Sequence, residues 1–147
     1  ATIATASPLV ASKDDDQEVA GDTLTAIGDL SVAVAANTGY IVQIFVVYTN
    51  SNVASNAKFE VVVPASPALL SVIQLIPDVV GGVSGFITSF GSTASGTALG
   101  STTTNYTARI VILLTTGAQS GTVSINGAST NALHTATFKA GSFMVRT

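Results

Sequence analysis

Apolar and polar side chains alternate along most of this chain with the two-residue period of a β-strand. In residues 57–63, aromatic and aliphatic positions alternate with Lys58 and Glu60. In residues 106–114, aliphatic side chains occupy both faces around Ile110, so we expect that strand to be covered on both sides. Shorter runs of the same type occupy residues 30–34, 39–48, 122–125, 133–138 and 142–146. Val, Ile, Thr, Phe and Tyr fill these runs, which is the preference of strands.

Turn-forming residues separate the runs. Residues that tolerate a positive φ stand at 37–39, 49–52, 116–117, 126–127 and 139–141. Several short strands with turns between them are typical of a β-sandwich or barrel. Residues 67–76 are compatible with about two turns of helix between Pro67 and Pro77, or equally with an apolar strand. The pattern therefore predicts an all-β chain with at most one short helix.

Two segments depart from the strand pattern. Residues 12–22 are rich in Asp and Glu, whereas residues 81–105 consist mostly of Gly, Ser, Thr and Ala. The second segment is long for a structureless loop, so we expect a strand at 85–90 and an exposed loop at 91–104. For the whole chain we expect an N-terminal arm or first strand in residues 1–20 and a single β-sandwich domain in residues 21–147.

Charged residues make up only 9% of the 147 residues, where an ordinary soluble domain carries about a quarter. High hydrophobicity with few charges excludes intrinsic disorder, and a net charge of −3 argues against a nucleic-acid partner. The absence of Cys excludes a disulfide scaffold and cysteine-ligated metals. No run of about 20 apolar residues is present, and residues 1–30 lack the basic and apolar order of a signal peptide. We therefore expect a soluble protein without a membrane partner.

Side chains able to carry out chemistry are few. The single histidine, His134, lies in a strand-like run without a sequence partner, and we interpret it as a half-buried or interface residue. Asp14, Asp16 and Glu18 would point one way on an extended chain, as Ca²⁺ ligands do. Their order does not match an EF-hand loop, so we interpret residues 14–18 as a solvated loop that shields a sheet edge.

Two further motifs are weak. The glycines of residues 91–100 are not followed by the Lys-Ser/Thr of a phosphate-binding loop. Residues 105–107 fit a glycosylation sequon, which arises easily by chance in a chain rich in threonine. The sequence therefore predicts no catalytic, cofactor-binding or metal-binding residues, no cofactor, and no enzymatic activity.

The expected surface is the informative feature. Six of the eight acidic residues precede residue 30, so the rest of the chain is nearly neutral. A β-domain with so few charges must expose apolar side chains, and large apolar exposure marks an interface. We therefore expect a homo-oligomer with closed symmetry.

Several segments also resemble a group of tailed-phage virion β-proteins. These are GDTL at 21–24, GDLSV at 28–32 and AANTGY at 35–40 with the strand that follows, then GAQSGTVSI at 117–125 and FKAGSFMVR at 138–146. The resemblance covers about half of the chain and leaves residues 64–104 without a counterpart. It implies a jelly-roll-like antiparallel β-sandwich of about 8–10 strands, found in capsid decoration proteins or tail-fibre parts and commonly trimeric.

The leading hypothesis is a non-enzymatic virion structural protein on the capsid surface. It would be a decoration or cement protein that oligomerises, with a trimer favoured, and stabilises a phage capsid by contacts with the major capsid protein. One alternative is a receptor- or carbohydrate-binding tail-fibre head, in which the loop 91–104 would form part of the ligand surface. Another is an adhesive β-domain of a cell surface.

Overall fold

The fold was examined in a computed structural model, which describes residues 8–78, 83–88 and 93–147. Within these ranges the chain is all-β, with two antiparallel sheets and no helix. The strands are β1 (Leu9–Ser12), β2 (Gln17–Ala20), β3 (Thr25–Val34), β4 (Gly39–Asn50), β5 (Ala57–Val62), β6 (Leu69–Pro77), β7 (Val83–Thr88), β8 (Thr93–Ser95), β9 (Tyr106–Thr115), β10 (Gly121–Ser129), β11 (Thr135–Phe138) and β12 (Phe143–Arg146).

The eight strands from β3 to β10 have the connectivity of a jelly roll. The smaller sheet has the order β3-β10-β5-β8, and the larger sheet contains β4-β9-β6-β7. Counted along the chain, strands one, eight, three and six form one sheet and strands two, seven, four and five form the other. This is the double Greek key order of jelly rolls, so the predicted fold class is confirmed.

Four further strands extend the larger sheet beyond β4. Both β11 and β12 pair with β4, while β2 pairs with β11 and β1 pairs with β12. The strands β1 and β2 therefore share one position in the sheet, and so do β11 and β12, with a bulge between the two members of each pair. In the bulge between β11 and β12, the Ser142 hydroxyl accepts a hydrogen bond from the Val47 N–H. The twelve described strands therefore fill ten positions, within the predicted range.

The hydrophobic core lies between the two sheets. Inward side chains of β4 and β9, such as Ile44 and Ile112, face Phe59 and Leu30 of the smaller sheet, and all four are fully buried. Burial of each such side chain contributes about 1.5–3 kcal/mol. At one end of the core, the Tyr48 hydroxyl donates a hydrogen bond to Asn56 Oδ1 over 2.7 Å.

The structure corrects some of the predicted turns and resolves one alternative. Residues 69–77 form strand β6, not a helix, and β4 continues to Asn50, inside the predicted turn 49–52. The turn predicted at 126–127 is wrong, because both residues lie within β10 and pair with β5. Gly127 is required there for packing, since a Cβ atom would lie 2.6 Å from the Phe138 ring and 2.8 Å from Ile27.

The glycine-rich segment is less loop-like than predicted. Strand β7 covers residues 85–88 of the predicted strand 85–90. Residues 89 and 90 of that predicted strand, and residues 91 and 92 of the predicted loop, lie outside the described residues. Residues 93–95 pair with β5 as strand β8, and Leu99 is 1% exposed. The expectation of a fully exposed loop at 91–104 is therefore wrong. Leu99 anchors this segment because an apolar side chain gains free energy by burial in the core.

Candidate interaction surface

The outward side chains of the larger sheet are mostly apolar on five neighbouring strand positions. The polar residues Ser12, Gln43, Ser71 and Arg109 lie among them. In strands β1, β12, β4, β9 and β6, alternate residues point away from the core. We call the apolar members of this set the outer apolar face. They are Val10, Ile41, Phe45, Val47, Leu69, Ile73, Leu75, Val111, Leu113, Phe143 and Val145.

This face holds much of the exposed hydrophobic surface. Of the ten exposed large hydrophobic side chains in the described ranges, six belong to it. Leu69 is 56% exposed and Leu113 is 45% exposed, although both stand on central strands of the sheet. Single exposed apolar residues are ordinary on protein surfaces, whereas a contiguous set marks a contact surface.

A three-membered stack crosses the face near its polar end. Phe45 and Phe143 are paired across β4 and β12, and their rings stack with centroids 4.9 Å apart. On the other side of Phe45, Arg109 of β9 places its guanidinium carbon 5.7 Å from the ring centroid. No ion pair links Arg109 to a carboxylate within the part of the chain described here. Beyond Arg109, the next outward residue of β9 is Thr107, whereas β4 continues with Val47 and only then with Thr49. The apolar region therefore extends one row further on β4 than on β9.

A shallow hollow opens at the opposite end of the face. It has a volume of about 330 Å³ and is lined by Ile41, Leu69 and Leu113 together with Tyr40 and Thr147. This volume falls at the lower end of the range for ligand pockets, and the hollow is open to solvent. We therefore interpret the hollow as a shallow depression in the outer apolar face that an apolar side chain of a partner can fill.

The outer face of the smaller sheet has the opposite character. Asn126 donates a hydrogen bond to Glu60 Oε1 over 3.1 Å on this face, and Val62 is its one large aliphatic side chain. The other outward residues are small or polar: Ser31, Ala33, Lys58, Ser95, Thr122 and Ser124. The sandwich therefore has one polar and one apolar outer side.

The acidic run 14–18 lies at the edge of the larger sheet, where Asp16 holds the two bulges together. Asp16 forms an ion pair with Lys139 over 2.8 Å and accepts a hydrogen bond from the Ala140 N–H. These two hydrogen bonds lower the pKa of the Asp16 carboxyl below its ordinary value. The Asp14 N–H donates to Asp29 Oδ2 over 3.4 Å. Among residues 8–78, 83–88 and 93–147, no three His, Cys, Asp or Glu side chains are grouped to hold a metal ion.

His134 is half-buried, and its Nδ1 forms a short hydrogen bond with the hydroxyl of Ser55. Ser55 is fully buried, so its hydroxyl is closed to a substrate. The contact joins the loop after β4 to the loop after β10. Next to it, burial raises the pKa of the Tyr48 hydroxyl, which keeps that group protonated as a hydrogen-bond donor. These hydrogen bonds tie the loops at this end of the sandwich together.

The remaining motifs lie apart from the outer apolar face. Within the glycine-rich segment, Gly96 packs against Asn56, where a Cβ would lie 2.2 Å from the amide nitrogen. This close approach explains the glycine by packing. Asn105 of the sequon is exposed immediately before β9. In the described ranges, no helix is long and apolar enough to span a bilayer.

Sequence analysis did not identify the outer apolar face as a site, although a signal for it was present. Residues 39–48 and 106–114 carry aliphatic residues on both faces, which is the pattern of a strand buried on both sides. Only one side of these strands is covered in the folded chain. The second apolar side was therefore the clue to a contact surface.

No protein-family model matches this chain, and no curated protein matches it. Among solved structures, the chain is similar to one titled "Crystal structure of infectious bursal disease virus VP2 subviral particle". The sequence identity is 13% and the TM-score is 0.24. The match covers 95% of this chain and 39% of that chain, so this chain spans less than half the length of the VP2 chain.

Proposed function

We propose that this chain is a non-enzymatic structural subunit of a virion, of the capsid decoration or cement type. Its subunits oligomerise and stabilise a phage capsid through contacts at the capsid surface, including contacts with the major capsid protein. The observation that carries this proposal is the contrast between the outer apolar face of the larger sheet and the polar outer face of the smaller sheet. A sandwich with one apolar outer side gains free energy by covering that side with protein.

Three further observations support the proposal. The strand order is that of the jelly roll, an architecture common among viral capsid domains. The segments that resemble tailed-phage virion proteins form β3, β4, β10 and β12 with their adjoining turns. The full burial of Ser55, whose hydroxyl contacts His134, supports a structural role for this pair.

The proposal is tested by cosedimentation of the purified chain with capsids prepared without it. We expect saturable binding, and we expect capsids with the bound chain to withstand heating that opens bare capsids. The variant Val62→Thr, which is altered only on the smaller sheet, should bind capsids as the parent chain does. Failure to bind capsids, with binding to host cells instead, would replace the proposal with the tail-fibre hypothesis.

A further inference from the structure

We infer that a second copy of this chain covers the outer apolar face, so that two larger sheets pack face to face about a two-fold axis. The inference rests on the proposed assembly function and deepens it by naming the surface and its occupant. It follows from the size of the face, from the chemistry of the rest of the surface and from the placement of the charges.

The face and its polar margin approach the area that a stable dimer needs. The apolar positions run from Ile41 to Val47 on β4 and from Leu69 to Leu75 on β6, but cover only about three residues on β12 and β1. At about 3.4 Å per residue and about 4.8 Å between strands, their projected area is roughly 450 Å². Side-chain relief and the polar residues around the apolar positions add to this projection, toward the ~800 Å² per partner of a standard interface. An apolar patch of this size is as large as the largest patches on typical monomers, which are often functional.

The same face on another copy is the surface of this chain that matches it. The outer face of the smaller sheet is polar, and burial of its Glu60, Lys58 and Asn126 against aliphatic side chains would cost free energy. Within the described ranges, four exposed large hydrophobics lie outside the outer apolar face, on β1, on the smaller sheet and in two loops: Leu9, Val62, Val53 and Leu133. An apolar surface pairs best with another apolar surface, and here that is the copy of itself.

The charges are placed so that two copies can approach in this way. The exposed Asp14, Asp15 and Asp16 lie between β1 and β2, at the edge of the larger sheet, and not among the apolar residues. Arg109 lies between Phe45 and Leu75 in a row near the polar end of the face, with its guanidinium over Phe45. A polar rim around an apolar centre is the usual arrangement of protein interfaces.

Contact between identical faces fixes the symmetry. An isologous contact has a two-fold axis and produces a dimer, whereas a trimer requires two different surfaces. Stacked β-sheets pack about 10 Å apart with their strands about 30° from parallel. At that distance the aliphatic side chains of both copies interdigitate as they do in the core. A trimer on a capsid would then be built through other surfaces of the dimer or monomer.

The experiment is sedimentation velocity of the full chain from low to high micromolar concentration, which needs no capsids. The test variant carries Ile73→Thr and Leu113→Thr on the neighbouring strands β6 and β9 of the face, because threonine suits strands and both side chains are already more than 40% exposed. Val62→Thr, at 37% exposure on the other sheet, is the matched control. Circular dichroism and thermal unfolding of each variant establish that the fold is intact.

We expect the parent chain and V62T to form a dimer that added NaCl does not dissociate. We expect the double variant to raise the dimer dissociation constant by about tenfold or more, because it removes two large apolar side chains from the interface. A parent chain that stays monomeric at every concentration overturns the inference, as does a dimer that V62T weakens and the double variant leaves intact. Binding to capsids by a monomeric parent chain would overturn the second copy as occupant while leaving the proposed function standing.

Discussion

Replacement of Gln74 by methionine should stabilise the fold. Gln74 points inward from β6 and is fully buried. Neither its Nε2 nor its Oε1 atom has a hydrogen-bond partner in the part of the chain that the structure describes. Its strand neighbours on the inward side, Val72 and Ile76, are apolar. A buried amide without partners has lost its hydrogen bonds to water and gained none in return.

The expected gain follows from the two orphaned atoms. A buried polar group left unsatisfied costs about 1–3 kcal/mol, and methionine has no such group while filling a similar volume. Imperfect packing after a volume-conserving exchange costs less than about 1.5 kcal/mol, which reduces this gain. We therefore expect Gln74→Met to raise the free energy of unfolding by about 2 kcal/mol, which for a chain of this size raises Tm by about 4–8 °C.

The assay is urea unfolding monitored by circular dichroism at one fixed protein concentration, supported by a thermal scan. Gln119→Met is the matched control, because Gln119 is exposed in the segment between β9 and β10. The control should change stability by less than about 0.5 kcal/mol, as ordinary surface substitutions do. The slope of free energy against urea should stay the same in all three proteins.

A Q74M chain that is no more stable than Q119M would refute the reasoning. It would mean that the Gln74 amide is hydrogen-bonded in the folded protein, for instance by a buried water molecule. A crystal structure of the parent chain would then show density beside Nε2 or Oε1.

Three other outcomes are expected. Gly127→Ala should lower stability by about 1–3 kcal/mol, because its Cβ would overlap the Phe138 ring in the closely packed core; urea unfolding measures this loss. In an NMR pH series, Asp16 should titrate below the ordinary carboxyl range, because its pKa is lowered in the fold. Its contribution to the free energy of unfolding is therefore present above about pH 4 and is lost as the pH falls through the lower folded-state pKa. Asn56→Ala should cost about 1–3 kcal/mol or more, because it leaves the buried Tyr48 hydroxyl without its acceptor.

Each of these outcomes has a control in the same chain. Gly39→Ala places a Cβ at an ordinary 3.9 Å from Thr115 and should cost much less than Gly127→Ala. The variant Lys139→Ala, which removes the ion pair, provides the reference titration for Asp16. Asn52→Ala removes a half-buried amide in the same loop and should cost less than the Asn56 variant. Equal effects in any pair would contradict the corresponding contact.

The strands could be predicted from local patterns because their alternation reports which side faces a core. Residues 106–114 and 57–63 were predicted to within a residue or two of β9 and β5 for this reason. The turn at 126–127 was wrong because the same Asn-Gly pair that favours a turn is used here to admit the Phe138 ring. That contact joins residues of different strands, and a local pattern does not contain it.

The outer apolar face likewise depends on contacts that a local pattern does not contain. The double-sided aliphatic pattern around Ile110 indicated that both faces were to be covered, but not which face the fold leaves open. That follows from the jelly-roll pairing of β4, β9 and β6, which combines segments far apart in the chain. The ion pair between Asp16 and Lys139 depends in the same way on the pairing of β1–β2 with β11–β12.

The position of β12 has a consequence for the order of folding. This strand lies between β4 and β1, and its register pairs Arg146 with Leu9 and also with Val42. The edge of the larger sheet therefore closes only when segments from the two ends of the described chain meet. Contacts of such long sequence separation slow folding, because loop-closure entropy is lost before they form. During synthesis on the ribosome, β4 must wait with an open edge until residues 143–146 emerge, which makes this edge the place where premature association of nascent chains would begin.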